Sequence, residues 1–457
     1  MLFNSLPFMI FFPVVTLVYY LLPYRWRWGW LLAASCFFYM WFKPVYILIL
    51  LVTILIDYST ARMIHRHRLR PRRKRAWLVA SIVSTLAVLF VFKYQGLFHE
   101  SHLLLPIGLS FHTFQSLSYV IEVYRGHQEP ERHFGFYSLY VMFYPQLVTG
   151  PIERPQNLLR QLHIDQPFKP ENLQRGVMLI LFGLFAKMVV ADNLAGYVDQ
   201  IYAQPDQYGS GAIALGLVFY SFQIYCDFFG YSTIALGCAK AMGYDLMDNF
   251  RAPYLSTSVG EFWHRWHISL SSWFRDYVYI PLGGSRVGVS RWMLNIMVVF
   301  LLSGLWHGAN WTFVVWGGMH GLLLLAEGLP AKLRGHRRGA ADCRPSGWVR
   351  WAQRGWVFVA VTLLWSIFRA EGFGQLKDLF AALWHNSGLH AMPGLETPTI
   401  LFLLLFVLGD MLLRHTRFDH WCIRQHPAVR WAVCFLLAFC TVAFASVEAF
   451  PFIYFQF

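Results

Sequence analysis

The sequence predicts an all-α, polytopic transmembrane protein, and three observations carry that prediction. Of 457 residues, 57% are hydrophobic and only 14% charged, far from the balance of a soluble globular domain. The apolar residues gather in repeated runs long enough to span or enter a bilayer. Aromatic residues make up 18%, with 19 Trp and 41 Phe, side chains that anchor helices at membrane interfaces. At roughly 20 residues per span, about 10–13 membrane or re-entrant helices are expected, set around a central tunnel. No internal repeat and no compact soluble stretch is visible, so residues 1–457 are expected to form one domain.

The first apolar run is Leu6 to Leu22, closed by Pro23. It follows an apolar start without a basic leader or small-residue cleavage site, and is expected to be a retained helix. Trp30 to Phe42 and Val45 to Tyr58 follow, separated at Lys43-Pro44, where Pro disfavours a continuous helix. Trp77 to Tyr94 and Leu103 to Val123 come next. Phe134 to Pro151 is apolar but holds Pro145, Gly150 and Pro151, which predicts short or re-entrant pieces covered by protein. Gly176 to Val190 and Ile213 to Met242 carry the chain out and back, and Trp292 to Leu305 and Phe313 to Leu325 flank His307. Trp356 to Phe368, Ile400 to Leu413 and Trp431 to Phe444 complete the set, leaving Ala370 to Pro398 as the longest external loop.

A net charge of +14 raises the question of nucleic acid, but its placement answers it. Positive charge collects in short loops, Arg62 to Arg75, Lys332 to Arg354 and Arg414 to Arg430. This is the signature of cytoplasmic loops beside anionic lipid, so membrane lipid and not nucleic acid is the expected partner of these charges. With Arg62–Arg75 inside, the N-terminus falls outside. The seven Cys form no CxxC pair and read as reduced, buried thiols.

Two histidines stand where a membrane protein avoids ionisable groups. His267 lies in Phe262-Trp263-His264-Arg265-Trp266-His267-Ile268-Ser269-Leu270-Ser271, and His307 in Leu305-Trp306-His307-Gly308-Ala309-Asn310-Trp311. A full charge at membrane depth costs roughly 2.5–3.5 kcal/mol on insertion scales, so such a group is a functional candidate by default. Imidazole is also suited to moving a proton near neutral pH. At about 1.5 Å per residue, Arg291 to His307 covers about 24 Å, placing His307 well across the bilayer from the basic side.

Ser258-Val259-Gly260-Glu261 reads as a capping box. The helix it opens is expected to carry His264, His267 and Ser271 on one face and to close at Pro281-Leu282-Gly283-Gly284. Trp306, Trp311 and Trp266 supply apolar walls with one donor each, and Asn310 a donor able to orient a histidine or hold an oxyanion. Asp276 stands beside Arg275, an arrangement that also suits a structural ion pair. His264-x-x-His267 lacks a third ligand at zinc spacing, so no metal is expected. Cys226, among apolar neighbours, is expected to be inert. No nucleophile elbow, phosphate loop or dinucleotide glycine motif occurs.

With these residues in view, the chain resembles the membrane-bound O-acyltransferase family, in its bacterial alginate and polysaccharide O-acetylase branch. The resemblance runs through Met1-Leu2-Phe3-Asn4-Ser5, through Ser110 to Tyr119 with Gln115, through Tyr144 to Ile152 with Gln146, and most strongly through 249–286 and 303–318. It implies that His307 occupies the catalytic position and His267 a second important polar one. It departs at a segment usually written DFSGYSD, which reads here Asp227-Phe228-Phe229-Gly230-Tyr231-Ser232-Thr233. It further implies a cytoplasmic thioester donor, acetyl-CoA, with no bound cofactor. The expected acceptor is an extracytoplasmic polysaccharide such as alginate, cellulose or peptidoglycan. A separate extracytoplasmic esterase-like (SGNH-type) acyltransferase is the expected partner, and the bacterial inner membrane the location. The alternatives are a teichoic acid D-alanyl transferase, differing in donor, and a polysaccharide or lipid-carrier transporter, which should show paired repeats.

Overall fold

A computed structural model describes residues 1–94, 106–148, 150–334, 346–388, 390–446 and 450–455. Leu103 to Leu105, Thr149, Cys343 and the middle of the 332–354 basic loop lie outside the described residues. Among those described there is no strand.

Helices α1 (Leu6–Leu21), α2 (Tyr24–Met40) and α3 (Tyr46–Arg66) are divided by Pro23 and by Lys43-Pro44, as the proline rule requires. α4 (Pro71–Leu89) opens on a proline at its first position, where no N–H is missed, and continues as a π-helical turn, Phe90–Tyr94. α5 (Leu109–Arg125), α6 (Phe134–Met142), α7 (Tyr144–Leu147) and α8 (Leu158–Leu162) follow. Residues 137–148 are buried without interruption, which is the condition for such short pieces in an apolar protein. α9 (Pro170–Leu184) passes through a π-helical stretch, Phe185–Ala191, into α10 (Asp192–Ala203). This element is longer than the apolar run Gly176–Val190 suggested, because polar turns continue it at both ends.

α11 (Ser210–Ala241) is followed by α12 (Val259–Arg265), α13 (Ile268–Phe274), α14 (Val289–His307), α15 (Trp311–Leu333) and α16 (Gly347–Arg369). α17 (Phe373–His385) occupies much of the stretch expected as an open loop. Leu376, Leu379, Phe380 and Trp384 recur there at helical spacing, a signal masked by the surrounding polar residues. α18 (Thr397–Leu412), α19 (Phe418–Ile423) and α20 (Pro427–Phe444) end the order. Among the described residues, seven helical stretches are long and apolar enough to cross a membrane, and α1 and α18 are shorter apolar helices. The chain is a multi-pass, all-α membrane protein. Cysteines 36, 226, 238, 422, 434 and 440 are unbridged thiols, and all but Cys36 are buried.

The chain falls into two compact units. The first comprises Met1–Leu184, Gly230–Asp248 and Phe418–Leu437. Buried Asp57 on α3 accepts hydrogen bonds from Ser81 Oγ (2.6 Å), Thr85 Oγ1 (3.3 Å) and Ser116 Oγ, tying α3, α4 and α5 by one carboxylate. Gln115 and Gln146 lie in this unit, and both amides donate to the Tyr140 carbonyl, at 2.5 and 2.8 Å. Their visible task is to satisfy a carbonyl that the break between α6 and α7 leaves without a helical donor. On α9 a Cβ at Gly176 would lie 2.6 Å from the Gly237 carbonyl, and one at Gly237 2.6 Å from the Gly176 carbonyl. The two backbones touch, as small residues allow between membrane helices.

The second unit comprises Phe185–Phe229, Asn249–Arg417 and Ala438–Phe457. It contains both candidate histidines.

Gly237→Val should destabilise the protein by about 1–3 kcal/mol through overpacking against backbone that cannot yield. Thermal unfolding in detergent checks this; an unchanged midpoint would show that the helices are free to separate there.

Candidate active site

His307 is the last residue of α14 and is buried. Its Nδ1 lies 2.6 Å from the Ser303 carbonyl four residues back. A carbonyl only accepts, so Nδ1 carries the proton and Nε2 is left as the basic nitrogen. The ring is boxed by aromatics: Trp316 at 4.9 Å between centroids, Trp306 at 5.0 Å, Phe368 at 5.4 Å and Tyr454 at 5.9 Å. What brings Trp316 so near is the contact of α14 with α15. A Cβ on Gly304 would sit 2.3 Å from the Phe313 carbonyl, and one on Gly317 2.2 Å from the Phe300 carbonyl. Glycine at both positions permits that approach.

Asn310 caps α15: its Oδ1 accepts from the Thr312 N–H at 3.1 Å, and its Nδ2 donates to the Glu371 carbonyl at 2.7 Å. The sequence suggested a donor for an oxyanion, whereas the folded chain uses both ends of this amide for capping and loop attachment. Trp306 is buried, whereas Trp311 is 67% exposed.

His267 corrects a second expectation. The helix expected to carry His264, His267 and Ser271 on one face is broken at His267, which adopts φ 43° and ψ 55°. The left-handed conformation is unfavourable for a side chain of this size. It persists because the segment before α12 takes over the backbone groups that the break releases. Ile268 N–H donates to the Asn249 carbonyl (2.9 Å), Ser269 N–H to Asn249 Oδ1 (3.3 Å), and Arg251 N–H to the Arg265 carbonyl (3.0 Å). The break turns the His267 ring toward Phe228, at 4.6 Å, and Trp306, at 6.0 Å. Trp306 thus touches both imidazoles. Burial drives the His267 pKa well below its ordinary value, and a proton taken up by His307 would act in the same direction. His267 is a neutral imidazole at neutral pH.

The start of α12 is heavily capped. Ser258 Oγ accepts from the Glu261 N–H at 3.0 Å, as the capping box requires, but Glu261 reaches back to Thr257, at 2.7 Å from both N and Oγ1. Burial alone would raise the Glu261 pKa; the Thr257 donors and Arg265 outweigh it and hold the carboxyl below its ordinary value. Glu327 of α15 accepts from Val259 N–H (2.6 Å) and Gly260 N–H (3.2 Å), a carboxylate on the positive end of the helix. His264 Nδ1 donates to its own helix at the Gly260 carbonyl, at 2.6 Å.

A cavity of about 1000 Å³ opens in this unit. Arg275, Arg286, Lys332 and His264 give its lining a basic character, while Trp263, Phe300 and Ser303 line it further along. Ser303 is the residue whose carbonyl holds His307. Ser271 lines the cavity, its hydroxyl donating to the Trp266 carbonyl at 3.2 Å. Asp276 pairs with Arg275 Nε at 2.8 Å, the structural alternative noted from sequence. Trp266 is buried against Trp365, at 4.9 Å.

Three polar residues of this unit have no place in the expectations drawn from the sequence. His320 lies on α15, its Nδ1 accepting from Trp263 Nε1 at 3.3 Å and its ring 5.0 Å from Trp316. Lys187 sits between Asp192 and Asp227, and Tyr454 stands against His307. The signal for the first two was present: each is an ionisable group inside an apolar run.

Comparison with known proteins shows the family. The membrane-bound O-acyltransferase (MBOAT) family model matches residues 81–366. The chain belongs to the MBOAT family. This acyltransferase is 36% identical over 403 residues to the probable alginate O-acetylase AlgI of Azotobacter vinelandii, covering 84% of this chain and 78% of the relative. It is 34% identical to that of Pseudomonas aeruginosa strain PAO1, over 90% of this chain and 81% of the relative. It is 31% identical to the peptidoglycan O-acetyltransferase of Helicobacter pylori strain 26695, over 80% and 74% respectively. The acyltransferase is therefore a multi-pass membrane enzyme.

Glu327→Ala should leave the Val259 and Gly260 N–H groups without their acceptor and cost about 2–3 kcal/mol. A melting curve together with transfer activity reports it; equal stability would mean that α12 does not need this carboxylate.

Proposed function

We propose that this acyltransferase passes an acetyl group from acetyl-CoA, taken on the cytoplasmic side, toward O-acetylation of an extracytoplasmic polysaccharide, with His307 as general base. The observation that carries the proposal is the Nδ1–H bond to Ser303 at 2.6 Å, which leaves Nε2 free of its proton in an enclosed aromatic box. In the reaction, Nε2 takes the proton of the acceptor hydroxyl as its oxygen attacks the thioester carbonyl. The carbon–oxygen bond forms, the carbon–sulfur bond breaks, and the proton goes to the leaving thiolate. Neutral His267, sharing Trp306 with His307, can donate one N–H to the developing oxyanion, a role worth roughly 2.7–4 kcal/mol in better-known enzymes.

The basic lining of the cavity, Arg275, Arg286 and Lys332, suits the phosphates of a coenzyme A thioester. The names of the relatives support acetyl transfer to alginate or peptidoglycan, with cellulose an acceptor of the same chemistry. A separate extracytoplasmic SGNH-type esterase-like enzyme would complete delivery to the polymer. The location is the bacterial inner membrane with the N-terminus outside, supported by Arg62–Arg75 and the other basic loops. Relatives that cover 84–90% of the chain support one acyltransferase domain.

His307→Ala should lower acetyl transfer by about 10²–10⁴-fold, read as thiol release from acetyl-CoA by purified protein with a hydroxyl acceptor. Transfer at the parental rate would remove His307 from the chemistry. A carrier-protein thioester used in place of acetyl-CoA by the parental protein would reassign the donor. Single cysteines at Arg70 and Gly388, in a background lacking the native cysteines, should react with impermeant reagent from opposite sides of the membrane. Labelling from one side would invert or fold back the proposed topology.

A further inference from the structure

A buried charge cluster lies outside the histidine site and has no part in the chemistry above. It begins in the π-helical stretch Phe185–Ala191, a geometry that re-aims side chains and recurs at functional sites. Lys187 Nζ is 2.6 Å from Asp192 Oδ1 and 2.7 Å from Asp227 Oδ1. It also donates to the Phe450 carbonyl at 3.2 Å. The other oxygen of Asp227, Oδ2, accepts from the Ile453 N–H at 2.7 Å. One cation and two carboxylates thus grip the backbone of the segment 450–455 at two points. Two further contacts secure the approach to it: Asn193 Nδ2 to the Phe444 carbonyl (2.8 Å) and Ser446 N–H to the Met188 carbonyl (3.2 Å).

The gripped segment places rings. Phe452 stacks on Tyr454 at 5.4 Å. Tyr454 lies 4.7 Å from Phe228, 5.9 Å from His307 and 6.3 Å from Phe368. Phe228, the neighbour of Asp227 in sequence, lies 4.6 Å from His267. A single step along α11 therefore links the charge cluster to both histidines. Buried ion pairs add little net stability over well-packed apolar side chains, although breaking one is costly. What this cluster supplies beyond packing is a fixed register for the 450–455 backbone.

We propose that Lys187, Asp192 and Asp227 form a clasp that holds segment 450–455 with Tyr454 against the His307 ring, so that Lys187 and Asp227 are positioning residues for acyl transfer. This rests on the assignment of His307 as general base. Loss of the clasp slows the chemical step and leaves the donor cavity intact, because none of its members lines that cavity.

The test uses the full-length protein in detergent, with hydrogen–deuterium exchange over 450–455 and thiol release from acetyl-CoA as separate readouts. Asp227→Leu removes the acceptor. Ile453→Pro removes only the donor, at the first position of a short helical turn where proline is tolerated, and leaves every charge in place. Both should speed exchange of the segment about tenfold or more and lower kcat about tenfold, with KM for acetyl-CoA within about twofold. Asp227→Asn, which keeps an oxygen for Ile453, should retain most of the protection. Unchanged protection in Ile453→Pro, or lost protection with kcat intact, would overturn the clasp. If Asp227→Leu does not fold, Ile453→Pro decides. Failure of the His307 assignment looks different: His307→Ala would then keep its activity, and the exchange data would still report on the clasp.

Discussion

The bond from His307 Nδ1 to the Ser303 carbonyl sets the terms for the rest of the site. An imidazole in an apolar box has two equivalent tautomers until something distinguishes its nitrogens, and only one of them presents a base at Nε2. Here the distinction is made within a single turn of α14, by a carbonyl that the helix already holds rigid. Since that carbonyl lies four residues back, the ring folds down along its own helix. Space must then be cleared on the facing helix, and the approach of Gly304 and Gly317 brings Trp316 close enough to α14 to form the wall. The glycines, the tautomer and the tryptophan box are consequences of one geometric requirement.

His267 meets a different constraint. It is placed by breaking a helix, and a side chain in the left-handed region costs on the order of 1–3 kcal/mol. The surroundings offset that cost locally: Asn249 and Arg251 accept or supply the backbone bonds that the break opens, while Ser258, Glu261 and Glu327 fix the start of the preceding turn. Strain kept at this expense in a buried, neutral imidazole accords with a role for the ring that ordinary packing would not need. The same break explains why His264, three residues earlier, serves its own helix and the cavity wall and does not pair with His267.

Much of the fold was legible because lipid imposes a coarse rule. Apolar runs and proline breaks located α1, α11, α14, α18 and α20 closely, and α2 to α5, α15 and α16 only in part, mostly because polar turns carry those helices beyond their apolar runs. α17 escaped because its apolar positions are sparse and amphipathic, and the π-helical stretch before α10 because no sequence period marks it. At the site, cost of burial singled out His307 and His267 correctly as buried polar groups. The same rule applied to Lys187 and His320, but each reads in isolation as an expense without a partner. Asp227 for Lys187 and Trp263 for His320 lie far along the chain, and long-range pairing leaves no local pattern. Asn310 shows the reverse limit. Its chemistry suited an oxyanion, and only the backbone around it reveals a cap.

The two ends of the cavity differ in the kind of group they can tolerate, and that difference bears on how a charged donor could be used at depth. Trp292 and Ser303 both line it and stand about 16 Å apart along α14. Toward Trp292 and Lys332 the lining carries guanidinium and ammonium groups, able to hold phosphate where water still screens it. Toward Ser303 the neighbours are Trp263 and Phe300, which offer no compensation for an anion. A donor bound by its phosphates at the basic end need send only a neutral acyl arm inward, so the desolvation cost of a charged cofactor is never incurred. Ser303, whose carbonyl accepts from His307 Nδ1, stands at that apolar end. A small acyl group on a large polar carrier would suit a cavity whose charges stop at one end.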